Sequence, residues 1–331
     1  MEKNILLAHG GGGEQMNALI NDLIFRIFDN EILRRSDDSA VLDFKGAKIV
    51  FSTDSFVVNP IFFAGGDIGK IAVCGSLNDA AMMGAKPLFL SCALIIEEGF
   101  SIAELEKVLE SMKKTADSAG VKIVCGDTKV VPKGACDKLF INTSVIGALF
   151  DEQNPAQISR LKPGAKILLS GDIGRHGAAL MASRHNVEID FASDCAPLNA
   201  VVAALYEANL RPLAMRDATR GGLSAVLNEW SKAAQKGIKI YQDKITINDG
   251  VMGICELLGF EAFELANEGT FILAVNENQS DKALEILRKF NENSAIIGEI
   301  LEAKDGVILE NIYGSTRYVE EPKGELLPRI C

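Results

Sequence analysis

The sequence predicts an α/β protein (α+β by some definitions) built as two layered domains, and three observations carry that expectation. At 331 residues the chain exceeds what one hydrophobic core ordinarily organises. Apolar residues make up 48% and charged residues 24%, the balance of an ordinary globular protein. Short β-branched runs alternate with longer helical stretches, which implies sheets covered by helices.

The elements follow in order. Ala40–Phe44 and Lys48–Ser52 flank Lys45-Gly46-Ala47, a hairpin signature. A helix is expected from about Asp67 to Gly84, then a strand over Pro87–Ile96. Ser101 and Glu104 form a capping box that opens a helix running to Gly120. Strands at Val121–Cys125 and Leu139–Phe150 close a first domain, residues 1–150. The polar run Asp151-Glu152-Gln153-Asn154-Pro155 marks the boundary. A second domain, 151–319, restarts with a strand at Lys166–Ser170. Helices are expected near 177–184, 197–209, 222–235 and 280–290, and strands near 238–242, 270–275, 294–300 and 306–312. Residues 320–331 read as a mobile tail ending in Pro328-Arg329-Ile330-Cys331, able to span roughly 40 Å when extended. A thiol on such an arm suggests a travelling reactive group, although chain ends are often frayed and idle.

The net charge of −11 argues against nucleic acid or an anionic membrane surface as partner. An acidic chain that binds a polyphosphate needs a divalent cation between them. No apolar run approaches the ~20 residues of a membrane span. The opening Met1–His9 carries no cleavage-like site, so no signal peptide is expected. Cysteines at 74, 92, 125, 136, 195, 255 and 331 include no C-x-x-C pair. That pattern disfavours a disulfide framework and a Cys-only zinc site, and a cytoplasmic protein is expected.

Acidic residues recur at strand ends and inside apolar helices. Asp37-Asp38 enters a strand, Asp54 leaves one, Asp127 ends another and Asp217 precedes a helix. Each taken alone reads first as a turn or cap residue that satisfies local N–H groups. Asp79 differs, because Ile71–Leu77 before it and Ala80–Met83 after it are almost wholly apolar. A carboxylate buried there must be paired or bound to a metal. Converging carboxylates with phosphate oxygens suit Mg²⁺.

Three Gly-rich segments could offer backbone N–H groups to phosphate or could simply be tight turns: His9–Gly13, Gly65–Lys70 and Thr219–Gly222. Ala64 and Ile71 break the P-loop pattern and Gln15 breaks the dinucleotide fingerprint. His9, His176 and His185 lack metal-hydrolase spacing, and no G-x-S-x-G elbow is present.

Taken together these segments resemble a known family. His9–Gly13, Ser52–Val58, Phe63–Lys70, Asn78–Ala85, Gly126–Val131, Arg216–Gly222, Ala266–Gly269 and the terminal Pro-Arg-Ile-Cys look like those of the HypE hydrogenase maturation proteins, the carbamoyl dehydratases. The likeness runs nearly end to end. More loosely, the Asp-rich half is similar to the superfamily of aminoimidazole ribonucleotide synthetase, selenophosphate synthetase and thiamine-phosphate kinase. Selenophosphate synthetase would want Cys and Lys within residues 9–17, which hold neither.

The resemblance implies an ATP-dependent enzyme acting on its own C-terminus. A carbamoyltransferase, HypF, loads a carbamoyl group onto the terminal thiol. ATP then activates the carboxamide oxygen, and loss of an N–H proton expels phosphate to leave a thiocyanate. Cyanide passes to iron on a HypC–HypD scaffold for [NiFe] hydrogenase. The implied fold places a barrel across a homodimer, with ATP near that interface. Carried over by motif, Cys331, Glu268 and Lys129 are the catalytic candidates. Asp54, Lys70, Asn78, Asp127, Thr128, Thr219, Arg220, Gly221 and Gly222 are the ATP candidates, and Asp38, Asp79 and Asp217 the Mg²⁺ candidates. A lysine near Glu268 would keep it ionised. The α-carboxylate should push the Cys331 thiol up, and Arg329 is the candidate cation to offset it. Gly174-Arg175-His176-Gly177 departs from the family's Gly-Asp-His-Gly by a charge reversal, so no ATP role is expected there. The competing readings are another phosphorylating enzyme of the superfamily and a passive thiol carrier.

Overall fold

The computed structural model describes residues 13–24, 27, 30–32, 35, 37–323, 327 and 329–331; the Gly-rich opening from His9 to Gly12 lies outside them. A short helix α1 (Glu14–Leu19) is followed by β1 (Ala40–Phe44), β2 (Ala47–Phe56) and the two-residue strands β3 (Phe62–Phe63) and β4 (Gly66–Asp67). Next come α2 (Ile68–Met82), β5 (Ala85–Glu97), α3 (Ile102–Ser118), β6 (Lys122–Val131) and β7 (Leu139–Leu149). Five of these strands form one sheet in the order β1-β2-β7-β5-β6, with only β5 and β6 parallel. The hairpin turn holds Lys45 at φ 52° and Gly46 at φ 87°, the left-handed pair that fits strand twist.

The second half contains β8 (Lys166–Leu169), α4 (Arg175–Arg184), α5 (Asn199–Glu207), β9 (Ala214–Asp217), α6 (Gly222–Ala234), β10 (Ile238–Tyr241) and α7 (Asp249–Leu258). It closes with β11 (Phe271–Val275), α8 (Ser280–Arg288), β12 (Ala295–Ile300), β13 (Val307–Glu310) and β14 (Thr316–Tyr318). Its strands form a second sheet ordered β14-β13-β10-β12-β8-β11-β9. The strands β9 and β14 and the helix α7 escape the sequence reading.

Helix α2 positions the site. Asp67 caps it, accepting from the N–H groups of Gly69 (2.7 Å) and Lys70 (3.1 Å). Its side chains are apolar nearly all round, so it must be covered on every side. The first sheet packs on one side, and β9 and α5 on the other. Asn78 stitches this junction: its Oδ1 accepts from Leu198 N (2.8 Å), and its Nδ2 donates to Ala196 O and Glu268 O.

One expectation changes. Gly126-Asp127-Thr128-Lys129 does not end its strand, because β6 continues to Val131 by pairing with β5 as far as Glu97. The tail's end takes an internal position: Leu327 and Ile330 are buried in the core shared by α2 and α4. Among the described residues, no helix is long and apolar enough to cross a membrane.

Candidate active site

Where α2 meets β2 and β9, acidic side chains from separate elements line one cavity of about 220 Å³. Asp37 and Asp38 precede β1, Asp54 lies on β2, Asp79 on α2, and Asp217 ends β9; Arg220, Glu268 and Cys331 complete the wall. Gly75 makes room for the Phe56 ring at the cavity wall, since a Cβ there would sit 2.8 Å from it.

Asp38, Asp79 and Asp217 each present a carboxylate oxygen, all within 4.8 Å of one another. Three hard oxygen donors held this close suit Mg²⁺, which keeps its remaining positions for water and phosphate. Arg216 supplies the built-in counter-charge: its Nε meets Asp38 Oδ1 at 2.7 Å, and its Nη2 meets Glu229 at 3.0 Å. Ser52 Oγ donates to Asp79 at 2.6 Å. Burial, reinforced by Asp54, Asp217 and Asp38, holds Asp79 well above the usual carboxylate range. Burial likewise pushes Asp217 up to about 6 against the pull of Arg216. A cation among these groups would relieve the repulsion, so the donor set fits the metal.

At the other wall stands Cys331. Its α-carboxylate accepts from Val57 N (2.9 Å), so the tail's end runs beside the chain that follows β2. Burial pushes its thiol up to about 12, with Arg220 opposing and Glu268 reinforcing. Glu268 is 2% exposed, and burial raises it well above the ordinary range. Its segment is fixed from behind by Asp194, whose two oxygens accept from Glu268 N and Gly269 N at 3.0 Å each.

The structure therefore gathers Asp38, Asp54, Asp79, Asp217, Thr219, Arg220, Glu268 and Cys331. It places the other candidates elsewhere. Lys70 reaches back to Gly65 O (2.7 Å), and Asn78 is spent on the domain junction. Gly221 and Gly222 serve the backbone, both at positive φ where α6 begins; a Cβ on Gly222 would sit 2.6 Å from Leu265 O. Asp127 and Lys129 pair with each other at 2.8 Å on β6, their side chains 63% and 68% exposed. With Thr128 they are not in their own chain's cavity, so the expected ammonium beside Glu268 is absent from it. Arg329 turns away to Val57 O and Asp137, and Arg220 is the cation near the thiol. Arg216, Ser52 and Asp194 are the contributors that sequence reasoning left unassigned.

Residues 36–149 match the AIR synthase related protein N-terminal domain, and residues 162–310 the corresponding C-terminal domain. The chain is 43% identical to the carbamoyl dehydratase HypE of Escherichia coli strain K12, over 99% of each chain. The chain belongs to the HypE family. A second HypE, from Rhodobacter capsulatus, is 40% identical over 100% of this chain and 99% of that one. Among solved structures, HypE in complex with ATP superposes with TM-score 0.83 at 41% identity, covering 99% of this chain and 100% of that chain. HypE from a HypE–HypF complex superposes with TM-score 0.86 at 46% identity, covering 92% of this chain and 100% of that chain.

Proposed function

We propose that this chain is a carbamoyl dehydratase that converts an S-carbamoyl group on its own Cys331 to a thiocyanate with ATP. The observation that carries this reading is the seating of Cys331 in one cavity with Glu268, Arg220 and the aspartate cluster. Dehydrating an amide in water is uphill, so the carboxamide oxygen must first become a leaving group. Phosphorylation by ATP makes it one, giving ADP, an S-linked imidate phosphate and a first N–H proton released to solvent; loss of the remaining N–H proton then expels phosphate and closes the C≡N bond. Glu268 accepts that proton, its raised basicity suited to the task. Arg220 and Thr219 face the anionic groups, and Asp38, Asp79 and Asp217 would hold Mg²⁺, which neutralises phosphate charge when bound. On the family resemblance, HypF would supply the carbamoyl group, and a HypC–HypD complex would take the cyanide for [NiFe] hydrogenase; a solved complex of HypE with HypF supports the first of these partners.

The test is the mass of the C-terminal peptide after incubation with ATP, Mg²⁺, carbamoyl phosphate and the transferase. A thiocyanate on Cys331 is expected. A bare or permanently carbamoylated thiol would leave only the passive carrier.

Asp79→Asn keeps shape while removing charge where the cation is proposed. It should weaken Mg²⁺-dependent ATP binding roughly tenfold or more, the worth of a charged contact, while the metal-free variant melts at or above wild type, because a carboxylate disfavoured by burial and like charges is removed. Unaltered Mg²⁺ dependence would remove Asp79 from the metal site.

The same reading includes a homodimer. The first sheet exposes Phe51, Phe89, Ile95, Val124 and Val130, a surface that a second copy would cover. Asp127, Thr128 and Lys129 share this edge strand, so any part in the reaction requires reaching the second copy's cavity. Mixing inactive Lys129→Met with inactive Asp79→Asn chains should then restore roughly a quarter of wild-type turnover through hybrid dimers. No recovery on mixing would confine Lys129 to a structural role.

A further inference from the structure

We infer that helix α4, which carries the unassigned Gly174-Arg175-His176-Gly177 motif, is the seat of the tail, and that His176 and Arg184 are positioning residues that grip its last carbonyls. His176 Nε2 lies 2.8 Å from Ile330 O, and Arg184 Nη2 donates to Arg329 O at 2.7 Å. A carbonyl only accepts, so His176 Nε2 carries the proton. Its Nδ1 then accepts from Ser193 Oγ (2.8 Å), which in turn accepts from Cys195 N (3.1 Å). The relay fixes one neutral tautomer, and complete burial keeps the ring neutral by lowering its pKa.

The helix surface is cut to fit as well. Gly177 admits Leu327, whose Cδ1 would lie 3.2 Å from a Cβ at that position. Opposite α4, Asn59 N donates to Arg329 O, and Arg329 Nε donates to Val57 O (2.8 Å). Arg329 itself is held at φ 54°, a left-handed conformation that a non-glycine residue adopts only when its surroundings enforce it. The grip is on backbone, so it places Cys331 whatever group its sulfur bears. The Ser193–Ala196 segment also ties seat to base, because Ser193 holds His176 while Asp194 holds the Glu268 backbone.

This inference rests on the dehydratase reading for its purpose and not for its geometry. A thiol seated in the cavity, where burial pushes its pKa up, reacts slowly, so the rate at which iodoacetamide alkylates Cys331 reports release of the tail. With the whole protein, and the C-terminal peptide resolved by mass, His176→Leu and Arg184→Met should each raise that rate roughly three- to tenfold, the value of one net hydrogen bond. His176→Gln, whose amide N–H can reach the same carbonyl, should stay near wild type. Conversion of the carbamoylated tail to thiocyanate should fall by a matching factor in the first two variants, while loading by the transferase should not fall. If His176→Leu misfolds, Ser193→Ala and Arg184→Met carry the test. Unchanged alkylation in variants that melt like wild type, or a Gln variant indistinguishable from Leu, overturns the assignment. If alkylation follows the pattern but wild type makes no thiocyanate, the dehydratase reading fails and the seat stands.

Discussion

Replacing Glu268 by Gln is expected to slow formation of the thiocyanate by about 10²–10⁴-fold while leaving carbamoylation of Cys331 intact. The variant keeps size and hydrogen-bonding capacity, and the segment's placement depends on main-chain bonds to Asp194 and Asn78 that the side chain does not make. The tail should accumulate with the mass of a carbamoyl adduct. The pH behaviour adds a second signature. Glu268 acts as a base only when ionised, and burial lifts its pKa, so wild-type turnover should climb at higher pH than an ordinary carboxylate would allow. The Gln variant should lack that climb. Stability runs the other way. A carboxyl raised by burial favours the folded chain less as pH rises past its unfolded value, so the variant should melt at or above wild type at pH 8. Thiocyanate at the wild-type rate would mean that the proton leaves to phosphate or water instead.

Cys331→Ala should abolish carbamoyl acceptance altogether, the largest effect expected of any single change. The fold should survive, because the substitution removes one sulfur and spares the backbone bond to Val57. Intact mass after loading, read beside thermal melting, measures both. Carbamoylation of any other cysteine at an undiminished rate would refute Cys331 as the carrier. Cys125 provides a demanding control, since it is exposed on β6.

The sequence exposed much of this site because its signals are local. Asp79 declared itself as a charge inside an apolar helix, and the structure sets it half-buried in the acidic cavity beside Asp38 and Asp217. Ser101 was legible as a cap, and its Oγ does accept from Glu104 N. What stayed hidden depends on distant pairing. Asp127–Lys129 resembled a strand end until β5 extended β6 past it. Asn78 resembled a ligand because nothing local reveals that Leu198 and Ala196 would claim its amide. Arg329 is the cation nearest the thiol in sequence, yet Arg220, 111 positions before Cys331, faces it in space. The helix α7 was missed although it caps conventionally, with Asn248 accepting from Gly250 N, because Gly250 and Gly253 weaken its helical signature.

Because the tail is seated by main-chain bonds to Val57 and Asn59, its position is set by its register against those two residues. One residue inserted between Leu327 and Cys331 would shift the sulfur along that register by up to about 3.3 Å. The last residues therefore act as a ruler whose length matters as much as the identity of the group at its tip.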